Sequence, residues 1–168
     1  MSEGKGFKKK TLIAAVIVAA WLCVTIVVLG IFKIHHVWPA LLTLLFFFEK
    51  GGDVKNLPNI FVGAVVGLLL AALVPIAVEA IAPTVGVLAG SLIVVFILVF
   101  LIIALGDIVH MFFNNYAFVY FTIALIFGKE QLTVQWLIVL VAGGIFFTGG
   151  VLVFAKLLGM STQIETKK

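Results

Sequence analysis

The residues best suited to handling a solute sit in two short apolar runs. Thr43 lies in the run Val37–Phe48 with Trp38, Phe46, Phe47 and Phe48, and Thr122 lies in the run Tyr116–Gly128 with Tyr120 and Phe127. A hydroxyl among aromatic rings can replace part of the hydration of a small, neutral or weakly polar molecule. A desolvated ion would instead require rings of carbonyls or charges. The competing reading is local: each threonine bonds back to its own helix and the phenylalanines face lipid.

Titratable residues form a second group. Asp107 and His110 are three apart, so in a helix they share a face, and Asn114-Asn115 prolongs the stripe. A carboxylate beside an imidazole can relay protons or gate with pH. The same residues also suit a polar helix end at headgroup level. His35-His36 reads either as a membrane-surface turn anchored by Trp38 or as a vestibule that binds substrate or senses protons. Glu49-Lys50 closes the first short run as a solvated or partly shielded pair, and Glu79, between Pro75 and Pro83, reads as a loop end. Two ligands without a third do not make a zinc site, so no metal or other cofactor is expected. Ser91 stands alone in an apolar span. No Gly-x-Ser-x-Gly, paired cysteines or phosphate loop accompanies it, which argues against an enzyme. Cys23 is single and reads as a small buried apolar residue of the first span.

The elements that carry these residues are set by composition. Of 168 residues, 64% are hydrophobic and 11% charged, with a mean hydropathy of +1.36. A soluble domain carries about a quarter charged residues, and this chain would expose large apolar areas in water. The expectation is an all-α integral membrane protein with a single membrane domain, residues 11–158, between a basic N-terminus (1–10) and a polar tail (159–168). Charge, proline and paired polar residues divide it into Thr11 to about Ile34, Val37–Phe48, Leu57 to about Val78, Thr84 to about Phe113, Tyr116–Gly128, and Leu132 to about Leu158. The first run is too long for the apolar region of a signal peptide. Helices of the two short runs would be roughly 18–20 Å long, against a hydrocarbon core of about 30 Å. Each is a tilted crossing or a re-entrant half-helix, and the latter needs protein or water around its open end.

Shifting the chain by 79 positions lays His35-His36 on Asn114-Asn115, Thr43 on Thr122, Phe48 on Phe127 and Lys50 on Lys129. The order long span, polar pair, short run, charged turn, long span occurs twice, which predicts two repeats over about 11–82 and 84–158. Gly63-x-x-x-Gly67, Gly86-x-x-x-Gly90 and the glycines from Gly143 to Gly150 mark close helix contacts. Every basic residue is a lysine. Six crossings gather Lys5, Lys8, Lys9, Lys10, Lys50, Lys55, Lys156, Lys167 and Lys168 on one side, leaving Lys33 and Lys129 on the other. The positive-inside rule then makes that side cytoplasmic, with both termini. The two halves are inverted in this arrangement, which would place a transport site near the midplane. The net charge of +4 is read as topology and lipid attraction, not nucleic-acid binding.

Trp38, Thr43, Phe46 and Gly51-Gly52 give W-x4-T-x2-F-x4-G-G, followed by a glycine-rich span. The pattern resembles the small bacterial inner-membrane proteins of the YcdZ type, a family of unknown function with a similar Thr/Phe segment in each half. This chain departs from it in the Phe46-Phe47-Phe48 run and in Glu49-Lys50 before the glycines. The resemblance implies an inner-membrane location and no particular substrate. The function expected from the residues is a channel or facilitator for a small, largely uncharged solute, as a homo-oligomer. The alternative is a structural or regulatory subunit whose glycine faces pack against a partner.

Overall fold

The computed structural model describes residues 9–34, 36–127 and 133–157. Among them every regular element is helical: α1 (Lys9–Ile31), α2 (Trp38–Glu49), a 3-10 turn (Val54–Asn56), α3 (Leu57–Val85), α4 (Val87–Gly106), α5 (Asn115–Ile126), α6 (Thr133–Ile138) and α7 (Gly144–Leu157). A π-helical turn, Val139–Gly143, joins α6 to α7 in one rod. Three stretches are long and apolar enough to cross a membrane: Val54–Val85, Val87–Gly106 and Val134–Leu157. α2 and α5 have 12 residues each, about 18 Å of helix.

The helix ends have local causes. Pro39 sits at the start of α2, where its missing N–H costs nothing. α2 closes on Gly51 and Gly52, both at positive φ, whose N–H groups bond Phe48 O and Phe47 O at 2.9 Å. α3 does not stop in the Pro75–Pro83 segment as expected; it runs through both prolines to Val85. Prolines are tolerated in apolar helices because neighbours and local adjustments satisfy the freed carbonyls. The break falls instead at Gly86, whose φ of 85° turns the chain directly into α4. α4 ends at Gly106, not near Phe113, and residues 107–114 form turns.

Packing crosses the two halves of the chain. α3 is flanked by α5 and α4, whereas α7 is flanked by α2 and α1. The second long helix of each half thus holds the short helix of the other. One core gathers Ile60, Ala64 and Leu68 of α3 with Tyr116, Tyr120 and Phe121 of α5, and with Phe46 and Trp136. The other sets Ala40, Leu44 and Phe47 of α2 against Val139, Phe147 and Val151. α1 docks through Trp21, whose indole donates to the Phe147 carbonyl (3.3 Å) and lies over Gly150, where a Cβ would overlap the ring.

Candidate functional site at the crossing of the short helices

α2 and α5 run antiparallel and meet through side chains. At one end Trp38 stacks on Phe127 (5.7 Å, 12° between planes), and at the other Phe46 meets Tyr116 edge-on (4.8 Å). Thr43 and Tyr120 meet midway, with Thr43 Oγ1 and Tyr120 Oη 2.8 Å apart. Both hydroxyls also reach one carbonyl: Tyr120 donates to Pro39 O at 2.6 Å and Thr43 lies 3.0 Å from the same oxygen. Neither residue has any exposed surface. The three oxygens form a triangle in an apolar core whose two hydroxyl protons fill two of its three edges, Tyr120 donating to Pro39 O and Thr43 to Pro39 O or to Tyr120, so that neither buried hydroxyl is left without a partner.

Small residues let the long helices close on this triangle. A Cβ at Gly67 would run into the Ala117 carbonyl and Tyr120 Cβ; one at Gly143 would come within 2.8 Å of Ala40 Cβ; one at Gly144 would come within 3.2 Å of Thr43 Oγ1. Gly63 leaves room for the Asn114 side chain, so the contact expected of Gly63 and Gly67 is present.

Towards the N-terminus of α2 the triangle gives way to a box of rings. Trp38 lies 5.8 Å from Tyr120, 5.7 Å from Phe127 and 5.3 Å from Trp136, to which it is nearly perpendicular. His36 closes the box against Phe127 (5.4 Å) and Trp136 (6.1 Å). Among the described residues, neither the Trp38 nor the Trp136 indole N–H has an acceptor, although both nitrogens are buried. At the other end, Glu49 and Lys50 pair at 3.0 Å in the open. The Glu49 carboxylate holds the Lys50 ammonium above its usual range, with Tyr116 adding to the effect.

Several expected site residues are placed elsewhere. Thr122 does not approach Thr43; it is exposed and donates to the carbonyl of Phe118 at 2.7 Å. Two positions separate it from Tyr120, about 200° around a helix, so it points away from the crossing. Phe47 is fully buried, but against α7, and Phe48 is half-buried beside it. Of the three consecutive phenylalanines only Phe46 joins the α5 core. Asp107 and His110 do not share a helix face, because α4 has already ended; both are exposed, as is Asn115. Cys23, expected to be buried, is also exposed, on a face of α1 that no other helix covers among the described residues. Asn114 is a structural hub. Its side-chain oxygen accepts from Ala117 N (3.0 Å), capping α5, while its amide donates to the carbonyls of His110 (3.0 Å), Met111 (3.2 Å) and Asn59 (3.3 Å). His35 and the Lys129 turn lie outside the described residues. Sequence reasoning missed the Pro39 carbonyl and Trp136. An indole with its one N–H donor, isolated in an apolar run, was the signal available for Trp136.

The 79-position shift does not match the contact. Thr43 and Tyr120 are 77 apart. The same spacing relates Trp38–Glu49 to Asn115–Ile126, and it pairs the buried residues Pro39 with Tyr116, Ala40 with Ala117, Leu44 with Phe121, and Phe47 with Ala124.

No curated protein and no solved structure shows a significant match to this sequence. The model of the family described as a protein of unknown function (DUF1097) matches residues 11–157, and the chain belongs to that family.

Proposed function

We propose that the protein is a membrane channel or facilitator for a small, largely uncharged solute, with its route along the seam between α2 and α5. The observation that carries this reading is the Thr43–Tyr120–Pro39 triangle, a polar cluster at the middle of two antiparallel short helices, continued by the ring box. Polar groups are costly inside a bilayer and tend to mark pathways. The charged pair Glu49–Lys50 lies at the exposed end of the seam and not within it, which suits a neutral solute better than an ion. With Thr43 and Tyr120 fully buried the seam is shut, so passage requires Tyr120 to leave the Pro39 carbonyl. No catalysis is assigned.

The reading includes six crossings built as two inverted repeats, now in a register of 77. Its supports are the antiparallel short helices, the matched burial and the exchange of third helices between halves. The lysine distribution supports cytoplasmic termini in a bacterial inner membrane. A homo-oligomer is part of the proposal because α4 buries only Gly90, Val94 and Ile102 against its own chain.

That bare α4 face and the closed crossing also favour a second reading, a non-transporting subunit that packs against a partner. Proteoliposome swelling separates the two. The transport reading expects permeability to some small neutral solute, reduced in Thr43→Val. Permeability to none of a broad panel, together with a stoichiometric copurifying partner, would favour the second.

A further inference from the structure

Among the described residues, the ring box holds two hydrogen-bond donors with nothing to donate to. The indole nitrogens of Trp38 and Trp136 are both out of solvent, Trp136 being 1% exposed, and among the described residues neither has an acceptor. A buried donor without a partner is destabilising, and it is relieved by any ligand that brings an oxygen. The third indole of the chain differs: Trp21 already donates to the Phe147 carbonyl.

We propose that the box formed by His36, Trp38, Tyr120, Phe127 and Trp136 binds a small neutral molecule through a carbonyl-type oxygen, received by the Trp38 and Trp136 N–H groups. The rings are packed against one another, Trp38 on Phe127 and edge-on to Trp136, so a planar molecule enters only as they part, and their flat apolar faces then line it. Two neutral donors match an uncharged acceptor. A carboxylate would give up far more hydration than they return, and an ammonium would meet donors where it needs acceptors. Trp38 also lies beside Tyr120, so the box adjoins the triangle at the crossing. The inference deepens the transport reading and rests on it for the box's place on a route, though binding is measurable without flux.

The test uses the full chain in lipid nanodiscs with nitrogen-15 indole labels, titrated with acetamide. Isobutene, of the same shape without the oxygen, is the control. The Trp38 and Trp136 N–H resonances should move downfield and saturate with acetamide, while Trp21 stays fixed and isobutene leaves both unmoved. Trp136→Phe should weaken acetamide binding about tenfold, the equivalent of one hydrogen bond. No saturable shift, or an equal response to isobutene, would overturn the site. So would N–H resonances already displaced before any acetamide is added, downfield by a bound water or upfield by a ring face. Liposome flux is read separately: a saturable shift without acetamide flux supports the site and counts against transport.

Discussion

Thr43 Oγ1 and Tyr120 Oη lie 2.8 Å apart, each at the sixth residue of a 12-residue helix, and they share the Pro39 carbonyl. The contact is the one buried hydroxyl pair recorded between the halves among the described residues, and its energetics can be isolated. In Thr43→Val, Tyr120 keeps Pro39 O; in Tyr120→Phe, Thr43 keeps it. Each single change should therefore cost only about 1 kcal/mol in detergent stability. Their coupling in a double-mutant cycle should be about 0.6 kcal/mol, the average for hydrogen bonds between membrane helices, and at most about 1.7 kcal/mol. Strict additivity would show that the two hydroxyls do not interact.

A second prediction concerns close approach. Gly67→Ala places a methyl against the Ala117 carbonyl, a backbone atom that cannot turn aside. Overpacking of this kind costs about 1–3 kcal/mol. Gly30→Ala meets nothing within 4 Å and serves as the matched control. Equal melting temperatures for the two variants would mean that α3 and α5 are not in this contact.

How much of this could be read in advance depends on the residue. The short runs, their polar ends and the roles of Gly63 and Gly67 follow from composition and glycine spacing. Register does not. The 79 shift follows the likeness of His35-His36 to Asn114-Asn115, yet Asn114 is a cap bonded to its own turn, a role that spacing does not encode. An error of two residues matters little for helix length but rotates a helix by about 200°, which exchanges Tyr120 for Thr122. Proline statistics from water-soluble helices likewise misplace the end of α3, which runs through Pro75 and Pro83 to Val85, as apolar helices tolerate.

Asn114 itself supports a third prediction. Asn114→Ala removes the α5 cap and three carbonyl contacts, and should cost at least the usual about 1 kcal/mol of a lost cap. Asn114→Asp keeps an acceptor for Ala117 N while losing the donors, so it should fall between wild type and alanine. If Asp restores full stability, the contacts to Asn59, His110 and Met111 contribute nothing.

Topology is checked by single cysteines in a Cys23→Ala background, using an impermeant thiol reagent on intact cells. Gly52 is buried, so Lys55, which is exposed, is the better site for the α2–α3 turn. Lys55→Cys and Asp107→Cys should resist the reagent until the cells are opened, and Lys33→Cys should react at once. Immediate labelling at Lys55→Cys would show that α2 does not cross.

The last prediction separates the seam from its surroundings. Phe46 and Phe47 are neighbours in sequence and about 100° apart around α2. Phe46 meets Tyr116 across the seam, at 4.8 Å between ring centres. Phe47 is buried instead against Val139, Phe147 and Val151. Truncating either to alanine removes a buried ring and should cost about 3–5 kcal/mol. Stability alone therefore does not distinguish them, and selectivity must. Phe46→Ala widens the space between the short helices, so the transport reading expects larger neutral solutes to pass relative to small ones in proteoliposomes. Phe47→Ala opens space on the α7 side and should lower the amount of folded protein while leaving the size cut-off of the remainder unchanged. Leucine at each position, which keeps most of the volume, guards against loss of the fold: Phe46→Leu should show the same shift in smaller degree and Phe47→Leu none. If the cut-off instead moves with Phe47 and not with Phe46, the route does not follow the α2–α5 seam.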